Sequence, residues 1–318
     1  MIKIYKNNST GTIINTNDYE TNTWINLINP TIEEINQIEK ETNIPKNLLE
    51  KMLDIEELPR IENEDDSTLV VVDVPYIRDQ KIKNKYTTLP LGIILNKQYL
   101  ITICTKEVEV LKEIKENKIK NLSISKKTRF VIRLLLRIAS LYVKYLNIID
   151  KEIESREKQL IKSTNNKELI SLMNIQKSLV YFVNSLRAND IILDKLSKGN
   201  VLELYEEDMD LLEDAIIENK QGIETANIYR EIIESMTDTY ATIISNNLNE
   251  VMKFLAGITI VCSIPTMIAS FLGMNVPLEF LQNNFSFIII VLISLVLALI
   301  IALILKKKDM LWYIYYMV

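Results

Sequence analysis

Histidine is absent from this sequence, and its absence removes whole classes of chemistry. Imidazole-based zinc sites, Ser-His-Asp triads and Cys-His nucleophiles are all impossible without it. Cysteine is nearly absent: Cys104 and Cys262 lie far apart, the second inside an apolar run. They suggest reduced, buried thiols rather than a disulfide framework. Proline is missing from the 174 residues between Pro90 and Pro265, so no strong helix breaker occurs there. Charge is missing as well: residues 254–279 carry only Glu279, and residues 280–305 carry none. The opening MIKIYKNNST lacks the apolar core of a signal peptide, so the expected membrane segments lie at the other end. A net charge of −5 and a pI of 5.2 argue against a general nucleic-acid binder.

What is present is strongly segregated. Hydrophobic residues at 48% and charged residues at 25% resemble a globular average. Yet residues 285–305 read FSFIIIVLISLVLALIIALIL, a run of 21. As a helix this run spans about 31 Å, the thickness of a hydrocarbon core. A fully soluble protein is excluded. Charge is segregated too, at −4 over residues 1–125, +8 over 126–198 and −11 over 203–250. This pattern has two compatible readings. Antiparallel helices can pair opposite charges on their faces, and an acidic field can concentrate cations beside the membrane.

The first third reads as mixed α/β. Residues 2–5, 23–27, 69–74, 91–95 and 99–103 are strand candidates rich in Ile, Val and Leu. A helix start is expected at Asn29-Pro30-Thr31, with Thr31 or Asn29 as cap and Glu33 and Glu34 in the first turn. A second helix should follow Pro45. From Lys126 the period turns helical, with Phe130, Leu134, Arg137, Leu141, Tyr145, Ile148, Ile149 and Ile153 on one face. Asn165-Asn166 is a turn into a second long helix, which Lys198-Gly199-Asn200 closes. A third should begin near Val201 to Glu203 and continue to Leu272. Gly222 and Gly257 weaken it by only about 1 kcal/mol each. At roughly 70 residues, or about 105 Å, it cannot bury itself in one small domain and needs copies or neighbouring helices.

Lysine places the ends. Lys253 precedes the first apolar run, and Lys306, Lys307 and Lys308 follow the second. The connection over residues 273–284 has no Lys or Arg and one acid. By the positive-inside rule both termini are cytoplasmic and the short loop faces outside.

The first apolar run ends in Gly273-Met274-Asn275, followed by Val276-Pro277-Leu278-Glu279. This triplet resembles the signature of the CorA family of divalent-cation channels. Asn249-Glu250-Val251-Met252-Lys253-Phe254-Leu255 is similar to the family's membrane entry, and Ile264-Pro265 to its mid-membrane step. The terminal lysine cluster and the order of all parts fit as well.

The resemblance implies a homopentameric funnel with an α+β cytoplasmic domain, a long helical stalk and two transmembrane helices. The divisions are an α/β domain over 1–125, a helical pair over 126–200 and a stalk over 201–253. A pore-lining helix over 254–272, an outer loop over 273–284, a second membrane helix over 285–305 and a tail over 306–318 complete it. Gly273, Met274 and Asn275 would form the outer entrance, with Glu279 as the loop acid. A ring of Asn275 carbonyls would bind the waters of Mg2+, which gives up its inner shell reluctantly. Gly273 would let the chain turn sharply after the helix. Asp238, Asn246, Asn249, Met252, Leu255 and Ile264 would line the pore, and Lys306, Lys307 and Lys308 would form a basic ring.

Two departures from the family stand out. Ala241 occupies the place of a frequent Leu at the lower constriction. Lys51, beside Glu50, stands where an aspartate is expected to face the stalk acid Asp214 of a neighbouring subunit. A Lys51–Asp214 pair would mimic a bound regulatory cation; alternatively Glu50 or the Glu62, Glu64, Asp65, Asp66 cluster serves.

The expected activity is passive, potential-driven Mg2+ influx across the plasma membrane, with no organic cofactor, no catalytic constellation and no nucleic-acid partner. Transport of zinc, cobalt or nickel by the same architecture is one rival. A non-transporting scaffold anchored in the lipid bilayer is the other.

Overall fold

The computed structural model describes residues 1–78, 85–120, 122–162, 166–199, 201–202, 204–274 and 285–311. These residues fall into two compact units, Met1–Ser235 and the part from Met236 on.

The first unit is built on one sheet. Its strands are β1 (Ile2–Asn7), β2 (Ile13–Thr16), β3 (Thr23–Ile28), β4 (Arg60–Glu64), β5 (Ser67–Ile77), β6 (Tyr86–Leu95) and β7 (Tyr99–Cys104). They lie in the order β2-β1-β3-β7-β6-β5-β4. Pairing is antiparallel throughout except between β3 and β7, which run parallel from Thr23↔Tyr99 to Ile28↔Cys104. All five expected strands are present, each longer than expected; β2 and β4, both at the sheet edges, were not foreseen. Pro75 and Pro90 lie inside β5 and β6, although proline usually marks a strand end. Each sits just past the reach of one neighbour: β4 pairs with β5 only as far as Val71, and β7 with β6 only from Leu91 on. Neither proline therefore costs a ladder bond on that side.

One sheet face is closed by α1 (Ile32–Thr42), α2 (Lys46–Glu50) and the 3-10 turn Lys51–Leu53. Thr31 caps α1 in a capping box, accepting from the Glu34 N–H at 3.2 Å while Glu34 accepts from the Thr31 N–H at 2.9 Å. The core here joins Ile25, Leu27, Ile101 and Ile103 to Ile35, Ile38, Leu48 and Leu49. Gly92 leaves room for it, because a Cβ there would lie 2.6 Å from the Met52 Cγ. A short α3 (Glu109–Lys115) follows β7.

The other face is covered by α4 (Lys127–Lys162) and α5 (Asn166–Ser197). Trp24 is fully buried there, stacked on Tyr5 and 5.7 Å from Phe130, with its indole N–H on Thr102 Oγ1 at 2.8 Å. Of the expected α4 face, Phe130, Leu134, Leu141, Tyr145, Ile149 and Ile153 are buried. Ile148 is not, at 37% exposed; it neighbours Ile149 but points about 100° away round the helix. Gly199 closes α5 at φ +73, its N–H on Leu196 O at 3.2 Å.

The third long helix, α6 (Glu206–Leu272), starts later than expected. Asp208 sets that start, accepting from the Tyr205 N–H at 3.4 Å and from Arg129 Nε at 2.6 Å. Three acids fill its first turn, where the helix dipole favours them. The pairing of basic and acidic helices is thus realised where Arg129 of α4 meets Glu207 and Asp208 of α6. In the second unit α6 is joined by α7 (Ser286–Lys307). Both α6 and α7 contain stretches long and apolar enough to cross a membrane. Cys104 is buried as expected, whereas Cys262 is exposed on α6.

Candidate functional site

In the second unit, the exposed side of α6 is unusual for an apolar helix. Asp238, Thr242, Ser245, Asn249, Met252, Ala256, Thr259, Ser263, Thr266, Ser270 and Gly273 recur at alternating steps of four and three. That spacing keeps successive members on one side of a helix, as a stripe that drifts about 20° per heptad along a straight one. Every one of them is exposed, and all except Met252 are polar or small. In the first unit the same steps along α6 give Asp210, Asp214, Ile217, Gln221, Glu224, Ile228, Glu231 and Ser235, again all exposed.

The hydroxyls on this side are held by their own helix. Thr259 donates to Leu255 O at 2.8 Å, Ser263 to Ile260 O at 2.8 Å and Thr266 to Cys262 O at 3.1 Å. Thr242 donates to Asp238 O at 3.1 Å. Such back-bonding satisfies the proton of each hydroxyl and leaves its oxygen lone pairs directed outward as acceptors. Pro265, inside α6, has no N–H to offer the Val261 carbonyl.

The structure brings Asn246, Asn249 and Met252 together. They line one groove of about 660 Å³ with Glu250, Lys253, Ala256 and Met310. Asp238 is exposed, as is Leu255 at 57%. Ile264, the remaining residue of the expected lining, is 8% exposed in the single chain. It follows Ser263 by one residue and so turns about 100° away from the stripe. The sequence-based selection took the large apolar residues Leu255 and Ile264 and passed over Thr259, Ser263, Thr266 and Ser270. Counting fours and threes from Asp238 through Asn249 would have found them.

At the outer end, Gly273 and Met274 are described, while Asn275 and Glu279 lie outside the described residues. Gly273 does not adopt a positive φ, and its N–H keeps a helical bond to Ala269 O at 3.0 Å. The expected sharp turn is therefore not made at Gly273 itself. At the other end, Lys306, Lys307 and Lys308 are all exposed at the C-terminus of α7, where the dipole favours cations.

The three residues expected at a regulatory site are not joined within the chain. Lys51 forms an ion pair with Glu62, and Glu50 pairs with Lys46 at 3.3 Å. The hydrogen bond from Lys51 is the largest influence on the Glu62 carboxyl and, with a weaker one from Arg60, holds it below the usual range against desolvation. Glu64 is taken by the Asn47 amide at 2.7 Å. Asp214 is exposed on α6. Among the described residues no cluster of three or more metal-ligating side chains occurs.

A family model described as CorA-like Mg2+ transporter protein matches residues 19–307. The cobalt/magnesium transport protein CorA of Methanocaldococcus jannaschii is 27% identical over 270 residues, covering 82% of each chain. The protein of the same name from Thermotoga maritima is 23% identical over 311 residues, covering 96% of this chain and 88% of its own. The complete structure of the CorA magnesium transporter from M. jannaschii matches with a TM-score of 0.82 at 23% identity, covering 97% of this chain and 96% of that one. That last likeness is one of fold.

Proposed function

Because this chain belongs to the CorA-like Mg2+ transporter family, we propose that it carries Mg2+ across a membrane through a path lined by α6. One observation carries this reading: an otherwise apolar helix exposes a continuous stripe of hydroxyl, amide and small residues. Polar groups are expensive against lipid tails and are retained where they face protein or a water-filled cavity. A ring of copies, five by family resemblance, turns that stripe inward around a central pore and leaves α7 outside against lipid. Both termini are then cytoplasmic and the loop after Gly273 faces outward, in the plasma membrane.

The chemistry suits a hydrated ion. Mg2+ keeps its inner-shell waters, whose protons point outward and need acceptors. Thr259, Ser263 and Thr266 have already donated to helix carbonyls and so present acceptors. Asn249 and, at the entrance, Asn275 supply amide oxygens. Asp238, Glu231, Glu224 and Asp210 add negative charge on the cytoplasmic stretch, which raises the local cation concentration. Flow is passive and driven by the membrane potential, at about 2.3 kcal/mol per unit charge for 100 mV. Regulation by bound Mg2+ at Asp214 or Glu50 requires ligands from a second copy, since Lys51 is already engaged by Glu62.

Reconstitution in liposomes with an inside-negative potential tests this, with Mg2+, Co2+ and Zn2+ supplied separately. Mg2+ uptake that depends on the potential is expected. Asn275→Ala should abolish it while the oligomer survives in mild detergent. Uptake of Zn2+ alone, or none in a correctly assembled protein, contradicts the reading.

A further inference from the structure

Two buried carboxamides connect the sheet to α6 by way of α5. The first is Asn189 of α5, 4% exposed. Past Val71 the outer side of β5 has no strand partner, and at Asp73 this side chain takes the place of one. Asn189 Oδ1 accepts the Asp73 N–H at 2.9 Å, and its Nδ2 donates to Asp73 O at 2.8 Å. The Tyr142 hydroxyl of α4 donates to the same carbonyl at 3.2 Å. These bonds key α5 to one position along β5.

The second is Asn219 of α6, 1% exposed, whose Nδ2 donates to the Leu186 carbonyl at 2.9 Å, one turn before Asn189 on α5. A carbonyl oxygen inside a helix has a second lone pair to offer. Leu212, Ala215, Gly222 and Ala226 are buried with Asn219 at steps of three and four. At Gly222 an added Cβ would lie 3.2 Å from Leu186 Cδ1, so the two helices approach closely there. Ala215, Gly222 and Ala226 differ by at most a methyl group, so this seam fits almost equally well after a slip along α5. Asn219 does not permit the slip, because its displaced amide would be buried without a partner. It also decides what is left outside. Asn219 is two residues from both Ile217 and Gln221, about 160° round the helix. Holding it on α5 therefore turns Asp210, Asp214, Glu224 and Glu231 outward.

We propose that Asn219 is a positioning residue for transport: through the Leu186 carbonyl it selects one register and one rotational setting of α6 against α5, and so fixes the side on which the acids are presented. This rests on the reading that the exposed side of α6 faces the ions. One polar residue in an apolar seam acts in this way by excluding alternatives rather than by adding stability.

The test has two arms, both on the full-length protein in a Cys262→Ser background. Gln176 of α5 meets Glu234 of α6 at 3.3 Å, so Gln176→Cys with Glu234→Cys should form an intrachain disulfide in oxidised membranes. Gln176→Cys with Arg230→Cys or with Asp238→Cys, one turn off in either direction, should not. Adding Asn219→Leu should spread the yield over all three pairs while the melting temperature is kept. An unchanged preference for the first pair overturns the proposal. If Asn219→Leu does not fold, Asn219→Ala takes its place. Failure of both to fold also overturns the proposal, since the residue is then needed for folding and not for the choice of register. In the second arm, Asn219→Leu should lower Mg2+ flux into liposomes several-fold. Oxidising the Gln176→Cys, Glu234→Cys pair in that variant should restore flux, because the disulfide re-imposes the register. With Asn219 in place the same disulfide should leave flux unchanged, and block there contradicts a fixed register. Wild-type flux in Asn219→Leu, or a loss that the disulfide does not repair, overturns the residue's part in transport. Absence of flux in the unmodified protein sinks the transport reading instead, and the disulfide yields alone then decide the register.

Discussion

The two units handle apolar side chains in opposite ways. In Met1–Ser235, Trp24, Ile25, Leu27, Ile101, Phe130 and Phe182 are all fully buried. From Met236 on, Phe271, Phe287 and Leu299 are each more than 60% exposed. Only 11% of the apolar window of α6 and 17% of that of α7 is buried within the chain. The first unit is held by its own core. On the proposed reading the second is completed from outside, by lipid against its apolar surface and by further copies against its polar stripe.

The largest effect expected from this difference is one of phase. A fragment of residues 1–235 should remain soluble and cooperatively folded without detergent, while the full chain should not. Precipitation of the fragment under native conditions would break the comparison at its base. Next, Trp24→Ala should destabilise that fragment by about 3–5 kcal/mol in urea titration. In the full chain, Leu299→Ala on the exposed side of α7 should cost less than about 1 kcal/mol. Similar costs at both positions would mean that α7 has a protein core of its own.

The contrast also explains what could be seen in the sequence. The central strands were legible because residues 69–72, 91–95 and 99–103 are buried throughout and rich in Ile, Val and Leu. The edge strands β2 and β4 were not, since IINT and RIENE mix polar with apolar residues and draw their definition from one partner. The helix start at Thr31, expected with Asn29 as the alternative cap, and the end of α6 at Leu272 were local signals and were found. The start of α6 was missed because it depends on Arg129 reaching Asp208 from 79 residues away. In the site, Asn249 and Met252 were recognised through resemblance. The hydroxyl residues of α6 were not named, because the large apolar residues Leu255 and Ile264 were named in their stretch instead. Lys51 was matched to a distant acid, although Glu62, only 11 residues on, takes it across the α2–β4 junction.

A smaller effect concerns the half-buried carboxyl of Asp73 in β5. Desolvation raises its pKa, opposed only by a hydrogen bond from Ser185 at 2.5 Å. A carboxyl that protonates more readily when folded stabilises the fold fully below its unfolded pKa. That contribution is lost as pH rises through the higher folded value. Asp73→Asn should therefore raise the stability of residues 1–235 at pH 7, by on the order of 1 kcal/mol, and flatten its decline between acid and neutral pH. Equal pH profiles in the two proteins would show that Asp73 keeps its charge at no cost. The smallest effect is expected at Lys51. Its pair with Glu62 is partly exposed, so Lys51→Met should change stability by less than about 1 kcal/mol, measured in the same urea titration.

The central claim is that the polar stripe of α6 faces the ions. The most direct measurement is block of Mg2+ flux by a water-soluble, positively charged thiol reagent, in a Cys262→Ser background reconstituted in liposomes. Cysteines at Thr259, Ser263, Thr266 and Ser270 should each render flux sensitive to the reagent. Cysteines at Ile260, Met267 and Phe271, equally exposed in the single chain but off the stripe, should not. Block that follows the four-three spacing is the predicted result. Block at Ile260, Met267 and Phe271 with none at the hydroxyl positions would contradict it.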